Sequence, residues 1–102
     1  MASKPPRIRP DQPRTYKIEF TSRALSELAG VPEKDRKRIG RKIGALANEP
    51  RPSGVEKLRG EEEYYRIRSG DYRVIYSISD GKLLVLVIRI GHRREVYRQL
   101  PR

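Results

Sequence analysis

The stretch from Tyr64 to Arg94 constrains this chain most, because its alternation sets both backbone and register. Tyr64-Tyr65-Arg66-Ile67-Arg68 alternates as a half-buried strand does, Gly70-Asp71 interrupts it, and Tyr72-Arg73-Val74-Ile75-Tyr76-Ser77-Ile78 resumes the pattern. This predicts a β-hairpin. Asp80-Gly81 marks a second turn, and Leu83 to Ile90, apolar at successive positions, predicts a central strand covered on both faces.

With Gly70 and Asp71 as the turn, Ser69 opposes Tyr72, Arg68 opposes Arg73, Ile67 opposes Val74, Arg66 opposes Ile75 and Tyr65 opposes Tyr76. Opposed residues share a face, so Tyr65, Ile67, Val74 and Tyr76 form a core side, while Arg66, Arg68 and Arg73 converge on the other. Like charges set opposite one another repel, so the fold gains nothing from this arrangement unless an anion neutralises it. Phosphate matches the guanidinium fork and is the expected anion.

At 102 residues the chain is one domain with a modest core. Lys and Arg number 24 against 13 acidic residues, a net charge of +11, which favours nucleic acid or an acidic protein as partner. No apolar run is long enough for a spanning helix, and Pro5, Pro6 and Pro10 stand where a signal peptide would need an apolar segment, so the expected location is cytoplasmic. With no cysteine and the single histidine His92, neither a disulfide framework nor a zinc cluster can be assembled, and the expected chemistry uses no metal or other cofactor.

In chain order, residues 1–14 carry Lys4, Arg7, Arg9, Arg14 and four prolines without a period and are expected to be a disordered basic arm; residues 15–102 form the domain. Tyr16, Ile18 and Phe20 alternate inward on a first strand. Thr21 or Ser22 caps a helix carrying Ala24, Leu25 and Leu28 that stops at Gly30. A second helix starts around Pro32, with Ile39, Ile43, Leu46 and Ala47 as its apolar stripe and Arg36, Lys37, Arg38, Arg41 and Lys42 around the rest. Asn48 to Gly60 is expected to be a loop pinned by Val55 and Leu58, with Glu61-Glu62-Glu63 a solvated hairpin edge. The fold class is α+β: a strand, a helical hairpin, then an antiparallel β-meander in a mainly antiparallel sheet.

Lys57-Leu58-Arg59-Gly60, Gly70-Asp71-Tyr72-Arg73-Val74-Ile75-Tyr76 and Ile90-Gly91-His92-Arg93 followed by Tyr97, in this order and spacing, resemble the RelE/ParE toxin superfamily over about residues 16–97, and its RelE type in particular. The resemblance implies a RelE-like fold and a toxin of a type II toxin–antitoxin system. It further implies that the toxin is silenced by a cognate antitoxin in a hetero-oligomer, enters the ribosomal A site and cuts mRNA without metal. Arg66, Arg68, Arg73, Arg93 and Tyr97 match the family's catalytic positions, although the archetype has lysines where this chain has Arg66 and Arg68. Lys57 and Arg59 are expected to add phosphate contacts. The alternative within the superfamily is a ParE-like protein that inhibits DNA gyrase without hydrolysing anything.

RNA cleavage by its own 2′-OH needs a proton acceptor, charge to stabilise the phosphorane, and an acid or cation at the departing 5′ oxygen. Arginines meet the second need but stay protonated, so they cannot serve the first. His92, the one side chain with an ordinary pKa near neutrality, is the expected acceptor, with Arg66, Arg68 and Arg73 on the phosphate and Arg93 at the leaving oxygen. The charge, together with the resemblance, predicts an acidic antitoxin wrapping the toxin.

Overall fold

The computed structural model describes residues 15–58, 63–92 and 96. The domain boundary expected at residue 14, and the character of the arm before it, lie outside them. Five strands and two helices follow in the order β1 (Lys17–Phe20), α1 (Ser22–Ala29), α2 (Glu33–Ala45), β2 (Glu56–Lys57), β3 (Tyr64–Ser69), β4 (Tyr72–Ser79) and β5 (Leu84–His92). The sheet order is β1-β5-β4-β3-β2, with β1 parallel to β5 and every other pair antiparallel. Among the described residues, no helix is long and apolar enough to cross a membrane.

The β3–β4 hairpin has the predicted register at every position from Tyr65↔Tyr76 to Ser69↔Tyr72. Gly70 takes φ +62, the first-position requirement of a type II′ turn, which a side chain would oppose. Tyr65, Ile67, Val74 and Tyr76 are all buried, and with Val85, Val87 and Ile90 of β5 they face Ala24, Ile39, Ile43 and Leu46 from the helical layer. Burial of that apolar area, at roughly 25 cal/mol per Å², is the main stabilising contribution. Ile18 and Phe20 pack at its margin, as does Val55 from the loop.

Thr21 joins α1 to the sheet. Its hydroxyl oxygen accepts the Ala24 N–H at 3.1 Å, as a helix N-cap should, and its hydroxyl donates to the Ile88 carbonyl at 3.1 Å. Since β1 ends at Phe20, opposite Val87, β5 runs on without a strand on that side. Glu27 fills the role: one carboxylate oxygen accepts the Ile90 N–H at 2.8 Å and the other accepts Arg89 Nε at 2.9 Å.

Three local expectations are corrected. The last strand covers Leu84–His92 rather than Leu83–Ile90, so Gly91 lies within it and does not end it. The turn before it has four residues, Asp80 to Leu83, closed by Leu83 N–H to the Asp80 carbonyl at 3.2 Å with Leu83 at φ 51. The predicted loop contains a short edge strand, β2, because Glu56 and Lys57 pair with Arg66 and Tyr65.

Candidate active site

Arg66 and Arg68 project from β3 and Arg73 from β4 onto the face of the sheet opposite the helices. Arg68 and Arg73 are directly opposed, and among the described residues neither forms an ion pair with a carboxylate. The Arg73 guanidinium instead turns back on the hairpin, donating from Nη1 to the Gly70 and Tyr72 carbonyls, each at 3.2 Å. Such bonds orient the fork and leave its charge intact. Arg66 is different: its side chain is 15% exposed and ion-paired with Glu56, its cross-strand neighbour on β2. Ile75, fully buried between Arg66 and Arg89 in the register, floors the face.

The structure does not bring His92 to these arginines. His92 opposes Tyr72, and their rings meet with centroids 4.6 Å apart, on the side of the sheet where Tyr72 packs against the core. The cause is a β-bulge. Ile75 opposes Arg89 but Tyr76 opposes Val87, so Ile88 is an extra residue, and every later side chain on β5 exchanges faces. The same inversion places Gly91 opposite Arg73, where a Cβ would come within 3.0 Å of Val96 Cγ1. Lys57 also points away from the arginines: it opposes Tyr65 on the core side and pairs with Glu63 at 3.3 Å. Arg59, Arg93 and Tyr97 lie outside the described residues.

Sequence reasoning missed a polar cluster at the other end of the sheet. Arg51 donates from Nη1 and Nη2 to the two carboxylate oxygens of Asp80, at 3.2 and 3.0 Å, and Tyr16 donates to Asp80 Oδ1 at 2.6 Å. The Arg51 guanidinium lies 5.3 Å from the centre of the Tyr65 ring, which packs at 5.9 Å against Tyr76. Hydrogen bonding to Asp80, and secondarily to Tyr65, pushes the Arg51 pKa further up. Burial pushes the Tyr76 phenol up as well, and its hydroxyl donates to the Pro50 carbonyl at 2.7 Å. This cluster anchors the 48–55 segment. The buried Arg89 was missed too, though a lone charge in an apolar strand signals a buried partner, here Glu27.

A mainly antiparallel sheet with two helices on one face and, among the described residues, an opposed Arg68–Arg73 pair without carboxylate partners on the other defines a class of small basic α+β domains with cations set out on one sheet face. The family described as ParE toxin of type II toxin-antitoxin system, parDE, matches residues 18–97. The chain belongs to this RelE/ParE superfamily and is of the RelE type. The mRNA interferase toxin RelE of Escherichia coli is 35% identical over 88 residues, covering 82% of this chain and 92% of that protein. The toxin RelE of Mycobacterium tuberculosis is 34% identical, covering 84% and 90%. The toxin in the crystal structure of the intact E. coli RelBE toxin-antitoxin complex aligns with a TM-score of 0.68 at 33% identity, over 78% of this chain and 98% of that one. An archaeal RelE-RelB complex from Pyrococcus horikoshii aligns with a TM-score of 0.70 at 29% identity, over 78% and 97%.

Proposed function

We propose that this chain is the toxin of a type II toxin–antitoxin pair, an endoribonuclease that cuts mRNA in the ribosomal A site and is silenced by an acidic cognate antitoxin. The observation that carries the reading is the opposed Arg68–Arg73 pair, two cations held side by side on the sheet, Arg68 exposed and Arg73 half-buried, without a counter-ion among the described residues. A relative at 35% identity named as an mRNA interferase supports ribonuclease over gyrase inhibition. Action on translating ribosomes places the protein in the cytoplasm.

In this reading Arg68 and Arg73 take the non-bridging oxygens of the scissile phosphate and stabilise charge as the phosphorane forms. Arg66, held by Glu56, completes the basic row. Arg93 and Tyr97, which match the family's catalytic positions, attend the leaving oxygen. His92 is left out because it lies against Tyr72. None of the three sheet arginines can accept a proton near neutrality, so alignment of the 2′-OH by the ribosome carries that step, and such positioning is worth several kcal/mol.

The test is to incubate the purified protein with programmed ribosomes and map RNA ends. Cleavage confined to the A-site codon is expected, and Arg73→Ala should lower its rate by about 10² with little loss of stability, since relief of the like-charge repulsion offsets the lost bonds to the Gly70 and Tyr72 carbonyls. Inhibition of gyrase supercoiling without RNA cleavage would reject the reading.

A further inference from the structure

Helix α2 reaches the hairpin that carries the arginines at two points. Lys42 Nζ donates to the Arg68 carbonyl at 2.7 Å. One turn earlier, the Arg38 guanidinium lies against the turn, with Nη1 3.4 Å from where a Cβ on Gly70 would stand. The reason lies in the sheet edge. β2 begins at Glu56, opposite Arg66, so among the described residues no strand pairs with the outer side of β3 at Arg68, and its carbonyl would face water. Ile39 and Ile43 are buried beneath this part of α2, which fixes the helix against the core and gives Lys42 a firm base.

We infer that Lys42 is a positioning residue for the RNA-cleaving face: by holding the Arg68 carbonyl from the helix side, it fixes the peptide plane from which the Arg68 side chain leaves on the opposite side. The inference rests on the proposed ribonuclease function. Arg68 is the exposed member of the opposed pair, and the turn that follows it supplies the Gly70 carbonyl to which Arg73 is tethered. Loosening the Arg68–Gly70 segment therefore displaces both guanidinium groups together. A shift on the order of 1 Å is enough to harm an aligned in-line attack. Arg38 lies against the same turn, and its charge adds to the field there.

The experiment compares Lys42→Met, which keeps the aliphatic stem, with Lys42→Arg, which restores a donor, and Arg41→Met, which removes a neighbouring exposed charge. Single-turnover cleavage is measured on programmed ribosomes over a range of ribosome concentrations. Lys42→Met should lower the rate at saturation by about fivefold or more with half-saturation little changed, because alignment and not encounter is affected. Lys42→Arg should recover most of that rate, and Arg41→Met should alter half-saturation alone.

Amide hydrogen exchange on the same proteins provides a second arm independent of activity. Lys42→Met should speed exchange at the Gly70–Arg73 tip and leave β5 protected. Full saturating rate in Lys42→Met, or a loss confined to half-saturation as in Arg41→Met, would overturn the positioning role. Unchanged exchange would overturn the clamp itself. A parent protein that cuts nothing on ribosomes would reject the ribonuclease reading, and with it the catalytic part of the inference, while the exchange arm would still decide the clamp.

Discussion

The behaviour of single residues here depends on what each side chain faces. Arg68 and Arg73 keep their charge available because their neighbours are carbonyls and solvent, whereas Arg66 meets Glu56 and Arg89 meets Glu27. His92 is the informative case. In sequence it adjoins Arg93 and invites a catalytic role, yet its ring rests on Tyr72, away from the arginine face. Accordingly His92→Gln should retain the single-turnover rate on ribosomes. A large loss of rate would return the histidine to the chemistry. Tyr76 supplies a second prediction. Its folded pKa is raised by burial above the usual phenol value of 10, so at higher pH the unfolded chain loses this proton first. The contribution is constant below about pH 10 and is lost as pH rises from there toward the folded value. Urea midpoints should therefore fall more steeply above that pH in the parent than in Tyr76→Phe, which at neutral pH costs about 1 kcal/mol for the unmet Pro50 carbonyl.

Among the elements, the β3–β4 hairpin was legible to the residue because strict alternation and a two-residue Gly-Asp turn leave no second register. β5 was not. Leu84-Val85-Leu86-Val87-Ile88 is apolar at every position, so nothing in it marks which residue is the extra one, and the bulge at Ile88 that moves His92 to the core side left no trace in the pattern. β2 was hidden for a different reason: two residues are too few to show a period, and the pairing is made by β3. The Arg51–Asp80–Tyr16 cluster joins residues far apart in sequence, which no local signal reveals. The bulge also creates a tight contact on the arginine face. Gly91 sits under Val96, which is fully buried, and an added Cβ would come within 3.0 Å of Val96 Cγ1. Gly91→Ala should therefore destabilise by about 1–3 kcal/mol, and adding Val96→Ala should recover part of that loss, giving a favourable coupling in a double-mutant cycle followed by thermal unfolding. Additive losses would mean that the two residues do not press on one another.

On the scale of the whole molecule, the two faces of the sheet are divided between stability and function. Helices α1 and α2 cover one face and bury the apolar stripe that alternation predicts, and the other carries the sheet arginines that the proposed function assigns to RNA. That division accounts for why the core and the sheet arginines could be read from the chain, while the proton acceptor could not: in the proposed mechanism ribosomal alignment belongs to the complex and has no counterpart in the sequence. The net charge of +11 acts at this scale too. A protein so basic meets an acidic partner by long-range attraction, which raises the association rate and is screened once the Debye length falls below the span of the patch, roughly 10 Å at 0.1 M salt and 3 Å at 1 M. Binding of the cognate antitoxin should therefore slow more than tenfold in association between about 0.05 and 0.5 M salt, with dissociation changing far less, because salt screens the long-range encounter more than short-range contacts. Stopped-flow association at several salt concentrations measures this directly. A salt-independent association rate would show that charge does not steer the pair, and a neighbouring gene product that neither co-purifies on co-expression nor relieves growth arrest would remove the acidic antitoxin from the account.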